Sequence, residues 1–294
     1  MDLSRKTIFR NREDWLQARR WGIGGSDAAP IMGNTSYASP YIVWARKKGY
    51  LQENPEEMYM RLGRLFEKTA EVVYQEETGN QLEDPGDFTI FWGEKDYQFA
   101  TVDRIDVTDN IIVEFKSVGG MAVNQWKEEP PLAYQIQVQH YLNVLKADRA
   151  RIGAIFGAPV FDYQTYEIDR DERFIEWMNR EQEKFWNEFV EKDVPPPVSH
   201  LEIETKALNH SVSDPFAERH VDYKSFLPFD KEFIAARDHL KSATERYDLA
   251  ANKIRALMGR AESLLVNNQL VYTFKEDVVG CRRLTRKTKG DLRP

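Results

Sequence analysis

The sequence predicts an α/β protein in which a central mixed β-sheet is flanked by helices. Three observations support this class. Residues 54–79 carry apolar side chains at helical spacing, residues 87–118 are rich in β-branched and aromatic types, and residues 131–193 alternate between the two patterns. A sheet with helices packed on it buries the apolar faces that such patterns create. A chain of 294 residues is long enough for one large domain or for a domain with an extension.

The predicted elements follow one another in a clear order. The first helix, NPEEMYMRLGRLFEKTAEVVYQEETG, has Pro55 and two acids in its first turn and Gly79 as its stop. Three strands follow, DFTIFW, YQFATVDRIDV and NIIVEFKSV, with Asp109-Asn110 as a tight hairpin turn between the last two. The remaining elements are a helix from Pro131 to Lys146, the strands RIGAIFG and FDYQTYEI, and a long amphipathic helix over residues 169–193.

The triple proline at residues 195–197 is the clearest domain boundary in the chain. We predict a core domain over residues 1–197 and an extension over residues 198–294. The extension is irregular at first, helical and charged from about 230 to 266, and ends in the strand-like pieces LVYTFK and CRRLTR. It is interpreted as an arm that packs on a neighbour or on a ligand.

Composition excludes several classes of protein. The sequence has no apolar run near the roughly 18 residues of a membrane span, and its start lacks the apolar core of a signal peptide. The single cysteine, Cys281, excludes an intrachain disulfide and argues against a cysteine-ligated zinc or iron–sulfur site. We therefore expect a cytoplasmic protein with no membrane partner.

The charge is unevenly distributed along the chain. The net charge is -7, yet residues 1–50 hold nine basic and four acidic residues, and residues 281–294 hold six basic and one acidic. Both ends are basic and the middle is acidic. This pattern permits a polyanion to be held locally, although charged runs also form ordinary solvated surface.

The segment IIVEFKSVGG, residues 111–120, places Glu114 and Lys116 two positions apart in a predicted strand. Alternate residues of a strand share a face, so these two side chains point together and Phe115 points to the other side. Asp103 lies on the preceding strand, across the hairpin turn, and can come next to Glu114. The spacing leaves two interpretations, a surface ion pair at a sheet edge or half of a metal site.

The metal interpretation has a physical basis. Two neighbouring carboxylates repel, and one takes up a proton unless a positive charge lies nearby. Mg²⁺ relieves this repulsion, because it binds one or two carboxylates and keeps several waters. A lysine beside it can orient or deprotonate the attacking water, and partial burial lowers its pKa for that purpose. Asp103, Glu114 and Lys116 together suit phosphodiester hydrolysis.

Two helices carry further candidate site residues, and together with the strand residues these resemble the motifs of a known nuclease superfamily. Glu67 lies mid-helix in GRLFEKTAE, and Gln137 and Tyr141 lie one turn apart on a helix face. Each of these alone also fits a polar stripe on a helix surface. In order, G-x-x-x-E, T-V-D, E-F-K and Q-x-x-x-Y resemble the motifs of the PD-(D/E)xK nuclease superfamily.

Within that superfamily the chain resembles the phage-type alkaline exonucleases, the YqaJ-like group of the lambda-exonuclease type. RRWGIGGSDAAPIMG is similar to the opening signature of that group, and SPYIVWARKKG follows it. Five motifs in the expected order make the resemblance specific over about residues 12–192, and it is much weaker beyond residue 198. It implies a restriction-endonuclease-like core with a helical C-terminal extension.

The resemblance implies roles for the strand residues. Asp103 and Glu114 would be the metal ligands, with the carbonyl of Phe115 completing the coordination, and Lys116 would position the attacking water. Glu67 would support these ligands or bind a second ion. Mg²⁺ is the expected metal, with Mn²⁺ as a substitute.

It also implies roles for the helix after the strands. Gln137 would sit beside the site with Tyr141 steadying it, and Gln139 would take the glutamine position if the helix is rotated. Val102 replaces the proline that begins the superfamily signature, at a position such proteins keep only loosely.

The opening signature implies a site for the 5′-phosphate of a DNA end. An arginine before GIGGS would meet the phosphate, and both Arg19 and Arg20 are candidates. Ser26 would bond a phosphate oxygen with help from the N–H groups of Gly24 and Gly25. A glycine-rich loop leading into a helix suits an anion. The alternative is a plain loop in which Ser26 or the next residue caps the helix.

Taken together, the resemblance implies an Mg²⁺-dependent exonuclease that degrades linear double-stranded DNA from 5′ to 3′. It would release mononucleotides and leave a 3′ single strand for recombination. It also implies a homo-oligomer in the form of a trimeric ring, a single-strand annealing protein as partner, and the cytoplasm of a bacterium or phage-infected host as location. The alternatives are a related endonuclease or repair nuclease, and a non-catalytic clamp on DNA ends.

Overall fold

The computed structural model describes residues 1–35, 37–51, 58–119, 122–126, 128–209, 220–277 and 280–287. The chain divides into two units, Met1–Ser213 and Asp214–Pro294. The helices of the first unit are α1 (Arg12–Ala18), α2 (Gly25–Ile31), α3 (Pro40–Lys47), α4 (Met58–Thr78), α5 (Leu132–Leu145), α6 (Glu172–Phe185) and α7 (Glu202–Asn209). Its strands are β1 (Lys6–Ile8), β2 (Leu82–Glu83), β3 (Thr89–Trp92), β4 (Phe99–Ala100), β5 (Arg104–Asp106), β6 (Ile111–Val118), β7 (Arg149–Phe156) and β8 (Asp162–Asp169).

A five-stranded mixed sheet forms the centre of the first unit, with the strand order β2-β5-β6-β7-β8. Strands β6 and β7 run parallel, and the other neighbours run antiparallel. Helix α4 packs against β6 and β7, and α5 also contacts these strands. The predicted class, a central mixed sheet flanked by helices, is confirmed.

The central strand β6 is apolar on both faces because each face packs on a helix. Phe115 lies with Tyr74 of α4 in one buried cluster, with the rings 6.0 Å apart. Ile112 belongs to the larger cluster that includes residues of α5. Because side chains alternate along a strand, Glu114 and Lys116 share the face of Ile112 and leave the sheet on the α5 side.

The segment YQFATVDRIDV does not form the single strand that the sequence predicts. It forms β4, which pairs with β3 in a separate sheet of order β1-β3-β4, and β5, which belongs to the central sheet. Asp103 therefore precedes β5 instead of lying within a strand. Its side chain accepts the N–H of Phe115 at 2.8 Å and so replaces a backbone partner at this point. The hairpin turn is confirmed, with Asp106 opposite Ile111 and Asn110 at φ 55°.

The helix ends mostly agree with their sequence signals. Helix α4 ends as predicted at Gly79, which has φ +70° and donates its N–H to Gln75 O at 2.9 Å. The predicted start of this helix, with Pro55, Glu56 and Glu57, lies outside the described residues. Helix α6 continues into one π-helical turn, Trp186–Val190.

The second unit contains α8 (Tyr223–Met258), β9 (Ser263–Val266), β10 (Gln269–Glu276) and β11 (Arg282–Arg286). The three strands form a sheet of order β11-β10-β9, and β10 and β11 confirm the two predicted short strands. The prediction of a helix up to residue 266 is wrong, because Gly259 at φ +51° ends it. Asn267 and Asn268, both at positive φ, form the two-residue turn between β9 and β10. None of the helices that the structure describes is long and apolar enough to cross a membrane.

Candidate active site

Glu114 is the most deeply buried charged residue of the predicted site, at 3% exposed. Its Oε1 accepts hydrogen bonds from the Nζ of Lys116 and, at 2.6 Å, from the Nε2 of Gln137. Its Oε2 is buried as well and has no hydrogen-bond partner within the part of the chain that the structure describes. A buried carboxylate oxygen without a partner is costly, because it has lost its water and gained nothing in return.

Helix α5 supplies the amide and the phenol beside Glu114. The Nε2 of Gln137 also donates to the hydroxyl oxygen of Tyr141 at 2.7 Å. Both side chains lie directly against Gly25, where a Cβ atom would stand 2.4 Å from Tyr141 Cε1 and 3.1 Å from Gln137 Cγ. Only glycine permits this close approach, so the GIGGS loop is packed tightly against the helix that carries Gln137.

Asp103 and Glu67 lie close to Lys116. Burial and the neighbouring charge of Asp103 raise the pKa of the half-buried Glu67 of α4. The charge of Lys116 acts in the opposite direction but is outweighed. One turn further along α4, Glu71 pairs with Arg104 through two hydrogen bonds of 2.7 and 2.8 Å. This bidentate pair ties α4 to β5 and so fixes Glu67 beside Asp103.

Opposing charges set the protonation of Glu114 and Lys116. Burial and the charge of Asp103 raise the pKa of Glu114 to about 8. Burial alone lowers the pKa of Lys116, but the negative charges of Glu114 and Asp103 outweigh it and the pKa is raised. The sequence predicts a lowered pKa for this lysine, and that prediction is wrong, because it counted burial without the two carboxylates. Lys116 is therefore charged and acts as a hydrogen-bond donor.

These oxygen atoms suit a hard divalent cation. A cation at Glu114 Oε2 would be the missing partner of that atom and would favour the ionised carboxylate. Among the described residues, no three Asp, Glu, His or Cys side chains are grouped closely enough to hold a metal ion. A cation here would depend on Glu114 and Asp103 with backbone or water oxygens, a donor set that Mg²⁺ accepts.

Gln139, His140 and Trp126 take structural positions outside this group. Gln139 donates to the backbone oxygen of Asp169 at 2.6 Å, so Gln137 and not Gln139 stands beside Glu114. His140 is completely buried, and its Nε2 lies 2.9 Å from the backbone oxygen of Phe99. Trp126 is buried among aromatic rings.

A cavity of about 640 Å³ with basic walls lies beside α1, α2 and α3. Arg19, Arg20 and Ser26 all line it, so the three residues predicted to bind a 5′-phosphate share one space. The Nη2 of Arg19 donates to Ser26 Oγ at 3.1 Å, and its guanidinium lies over the ring of Trp15 at 4.6 Å. The sequence leaves Arg19 and Arg20 as equal candidates for the phosphate contact. The geometry distinguishes them, because Arg19 bonds to Ser26.

A buried ion pair supports the wall of this cavity. The Nζ of Lys47 donates to Asp27 Oδ2 at 2.6 Å and to the backbone oxygen of Arg19 at 2.9 Å. Asp27 Oδ2 also accepts the N–H of Gly24 at 3.0 Å, so the prediction that this N–H helps to bind a phosphate is wrong. Burial raises the pKa of Asp27, but the charges of Lys47 and Arg19 and these hydrogen bonds outweigh it and hold the pKa below its ordinary value.

Several residues of this cavity have no role that the sequence predicts. Asp27 and Lys47 are 20 positions apart, and no pattern in the sequence connects them. Arg12 and Arg46 also line the cavity. The available signal was the excess of basic residues in the first 50 positions, which shows a basic region but not which side chains converge.

Known proteins are similar to this chain in sequence and in fold. Residues 14–148 match the model of the YqaJ-like viral recombinase domain. This stretch of the chain is therefore similar to a YqaJ-like domain. The matched stretch starts in α1, next to the basic cavity, and ends just after α5, so it includes both groups of candidate residues. The uncharacterized protein YqaJ of Bacillus subtilis (strain 168) is 26% identical over 281 residues, which cover 94% of this chain and 82% of that protein.

The fold of this chain is similar to that of a solved structure. The crystal structure of the alkaline exonuclease LHK-Exo from Laribacter hongkongensis superposes with a TM-score of 0.51 at 19% identity, over 67% of this chain and 99% of that one. The structure of LHK-Exo in complex with dAMP gives the same TM-score and identity, over 62% of this chain and 94% of that one. At this identity the likeness shows a shared fold.

Proposed function

We propose that this chain is an Mg²⁺-dependent exonuclease that degrades linear double-stranded DNA from 5′ to 3′. It would release mononucleotides and leave a 3′ single strand. The observation that carries the proposal is the group around Glu114, in which a buried carboxylate oxygen without a partner among the described residues lies beside Lys116, Gln137 and Asp103. The match to the YqaJ-like viral recombinase domain and the fold shared with an alkaline exonuclease support the same reaction class.

Each residue of the group would have a separate role in the hydrolysis. Asp103 and Glu114 would hold Mg²⁺ with the carbonyl of Phe115, and Glu67 would support them or bind a second ion. When bound, Mg²⁺ supplies Lewis acidity that favours deprotonation of the attacking water and offsets charge on the phosphate. Lys116, held in its charged form, would orient that water through its N–H groups.

Gln137 fixes the orientation of this group. Its amide donates to Glu114 Oε1, the same oxygen that accepts from Lys116, and Oε2 has no partner among the described residues. Its second contact, with the hydroxyl of Tyr141, holds the amide in place. A donor network of this kind keeps the reacting groups in position before substrate arrives.

The basic cavity would hold the 5′-phosphate of the DNA end. Arginine side chains suit a phosphate because their planar N–H groups match its oxygen atoms. LHK-Exo has been crystallised with dAMP, a deoxynucleoside monophosphate, and a product of that kind is what we propose here. A trimeric ring around DNA and a single-strand annealing partner are further proposals, and they come from the family resemblance alone.

The reaction is tested on linear duplex DNA labelled at one 5′ end or at one 3′ end, with closed circular DNA beside it. We expect early release of the 5′ label as mononucleotide with Mg²⁺, none with a chelator, and none with Lys116→Ala. Cutting of the circle would replace the proposal with an endonuclease. Intact label on every substrate, with DNA binding preserved, would leave only a non-catalytic clamp.

The phosphate site gives a separate prediction. Because Arg19 bonds to Ser26 in the cavity, Arg19→Ala should reduce the preference for 5′-phosphorylated over 5′-hydroxyl duplex by roughly 10- to 100-fold, the worth of hydrogen bonds to a charged group. Initial rates on the two duplexes measure this preference. Arg20→Ala is the matched control, and an equal loss of preference in both variants would contradict the distinction between the two arginines.

A further inference from the structure

Helix α8 carries a seven-residue apolar repeat. From residue 226 to residue 257 an apolar side chain recurs at alternating steps of three and four positions, over five heptads. Such a repeat predicts the seam of a coiled coil, whose two positions are named a and d. Position a holds Phe226, Phe233, Leu240, Tyr247 and Ile254, and position d holds Phe229, Ala236, Ala243, Ala250 and Leu257.

This seam is open to solvent for most of its length. Phe233, Leu240 and Tyr247 are 67%, 69% and 68% exposed in the described structure. By contrast Ala251 and Met258, on the flank of the same helix, are buried. A continuous apolar stripe that runs beside a buried flank marks an interaction surface. Apolar residues that are exposed singly would not all fall on one face of the heptad.

The sizes of the seam residues determine the direction of a partner. In a parallel pair, each position faces its own copy, so layers of two large side chains would alternate with layers of two alanines. In an antiparallel pair, position a faces position d. With Leu240 facing Ala243 of the second helix, Phe233 faces Ala250 and Tyr247 faces Ala236. Each central layer then joins one large and one small side chain, which keeps the helices at an even distance.

We propose that α8 associates with α8 of a second copy of this chain as an antiparallel two-stranded coiled coil. In the same register the outer layers join two large side chains, Phe226 with Leu257 and Ile254 with Phe229 of the other copy, and these layers lie at the two ends of the coiled coil. Each α8 is therefore complementary to itself, as a two-fold interface requires.

The charges that flank the seam agree with this register. Glu232 of one copy lies opposite Lys253 of the other, and the two-fold symmetry creates this pair twice. Arg237 lies opposite Thr244, so no like charges meet there. Flanking charges of this kind select the partner and its orientation more than they add affinity.

The association is tested on the full chain by light scattering after size exclusion. Leu240→Glu places a charge in the middle of the seam, while Leu249→Glu makes the same change at an exposed leucine on another face of α8. We expect the wild type to have an even multiple of the 34.4 kDa chain mass, Leu240→Glu to have half the wild-type mass, and Leu249→Glu to equal the wild type. A wild type with an odd number of chains, an unchanged mass for Leu240→Glu, or an equal loss in both variants overturns the proposal.

The direction is tested by disulfide cross-linking in a Cys281→Ser background, which removes the native cysteine. Phe233→Cys and Ala250→Cys proteins are oxidised separately and as a co-expressed mixture. An antiparallel pair gives a cross-linked dimer only in the mixture, because position 233 faces position 250. Cross-linking of either variant alone, or none in any sample, contradicts the antiparallel arrangement. Neither measurement depends on nuclease activity, so the proposal stands or falls independently of the proposed reaction.

Discussion

Glu114→Gln should abolish nuclease activity while leaving the protein at least as stable as the wild type. Activity should fall by at least roughly 10³-fold, as for loss of a central catalytic group. Stability should not fall, because the change removes a buried carboxylate whose pKa is raised to about 8 by burial and by Asp103, while the charge of Asp103 remains beside Lys116. The amide can still accept from Lys116 and Gln137 at the Oε1 position. Relief of roughly 1 kcal/mol would raise the Tm by about 2–4 °C.

The measurement is a nuclease assay together with thermal unfolding, each with Mg²⁺ and with a chelator. Mg²⁺ should raise the Tm of the wild type, because a ligand that binds only the folded state stabilises it, and it should have little effect on Glu114→Gln. Glu188→Gln, an exposed change on the same domain, is the control and should behave as the wild type. A large drop in the Tm of Glu114→Gln would show that the carboxylate is a structural group instead.

Lys47→Met should destabilise the fold far more than the same change at the neighbouring Lys48. Removal of Lys47 leaves Asp27 buried without its cation, and breaking a buried pair in this way costs about 3–5 kcal/mol. Lys48 instead pairs with Asp193 at 3.5 Å in a more exposed position, and such a pair is worth about 1 kcal/mol or less. Chemical denaturation of the two variants measures the free energy of unfolding. Equal losses would contradict the assigned role of the buried pair.

The pH dependence of this loss has a definite sign. Asp27 has a folded-state pKa below its ordinary value of 3.8, so its pairing stabilises the fold at and above that pH. The stabilisation is lost as the pH falls through the lower, folded-state pKa. The difference in unfolding free energy between the wild type and Lys47→Met should therefore be full at neutral pH and shrink below about pH 4. A difference that grows in acid would contradict it.

The α/β class and most of the elements could be predicted from the amino-acid sequence. Periodicity placed α4, α5 and α6, and the Asp109-Asn110 turn placed the hairpin that brings Asp103 opposite Glu114. These features are local, because a turn or an apolar face is written within one short segment. The order of the motifs around Glu114 likewise indicated a resemblance to the YqaJ-like group, and the match over residues 14–148 confirms this resemblance.

Features that depend on contacts between distant residues could be seen only in the folded protein. The rotation of α5 places Gln137, and not Gln139, beside Glu114. Arg19 contacts Ser26 because of the loop that precedes α2. Lys47 pairs with Asp27 from another helix. The pKa of Lys116 moved opposite to the prediction for the same reason, since its direction depends on two carboxylates brought near it by the sheet. Local sequence sets the conformation of a segment, whereas burial and charge at a site are sums over every segment that packs there.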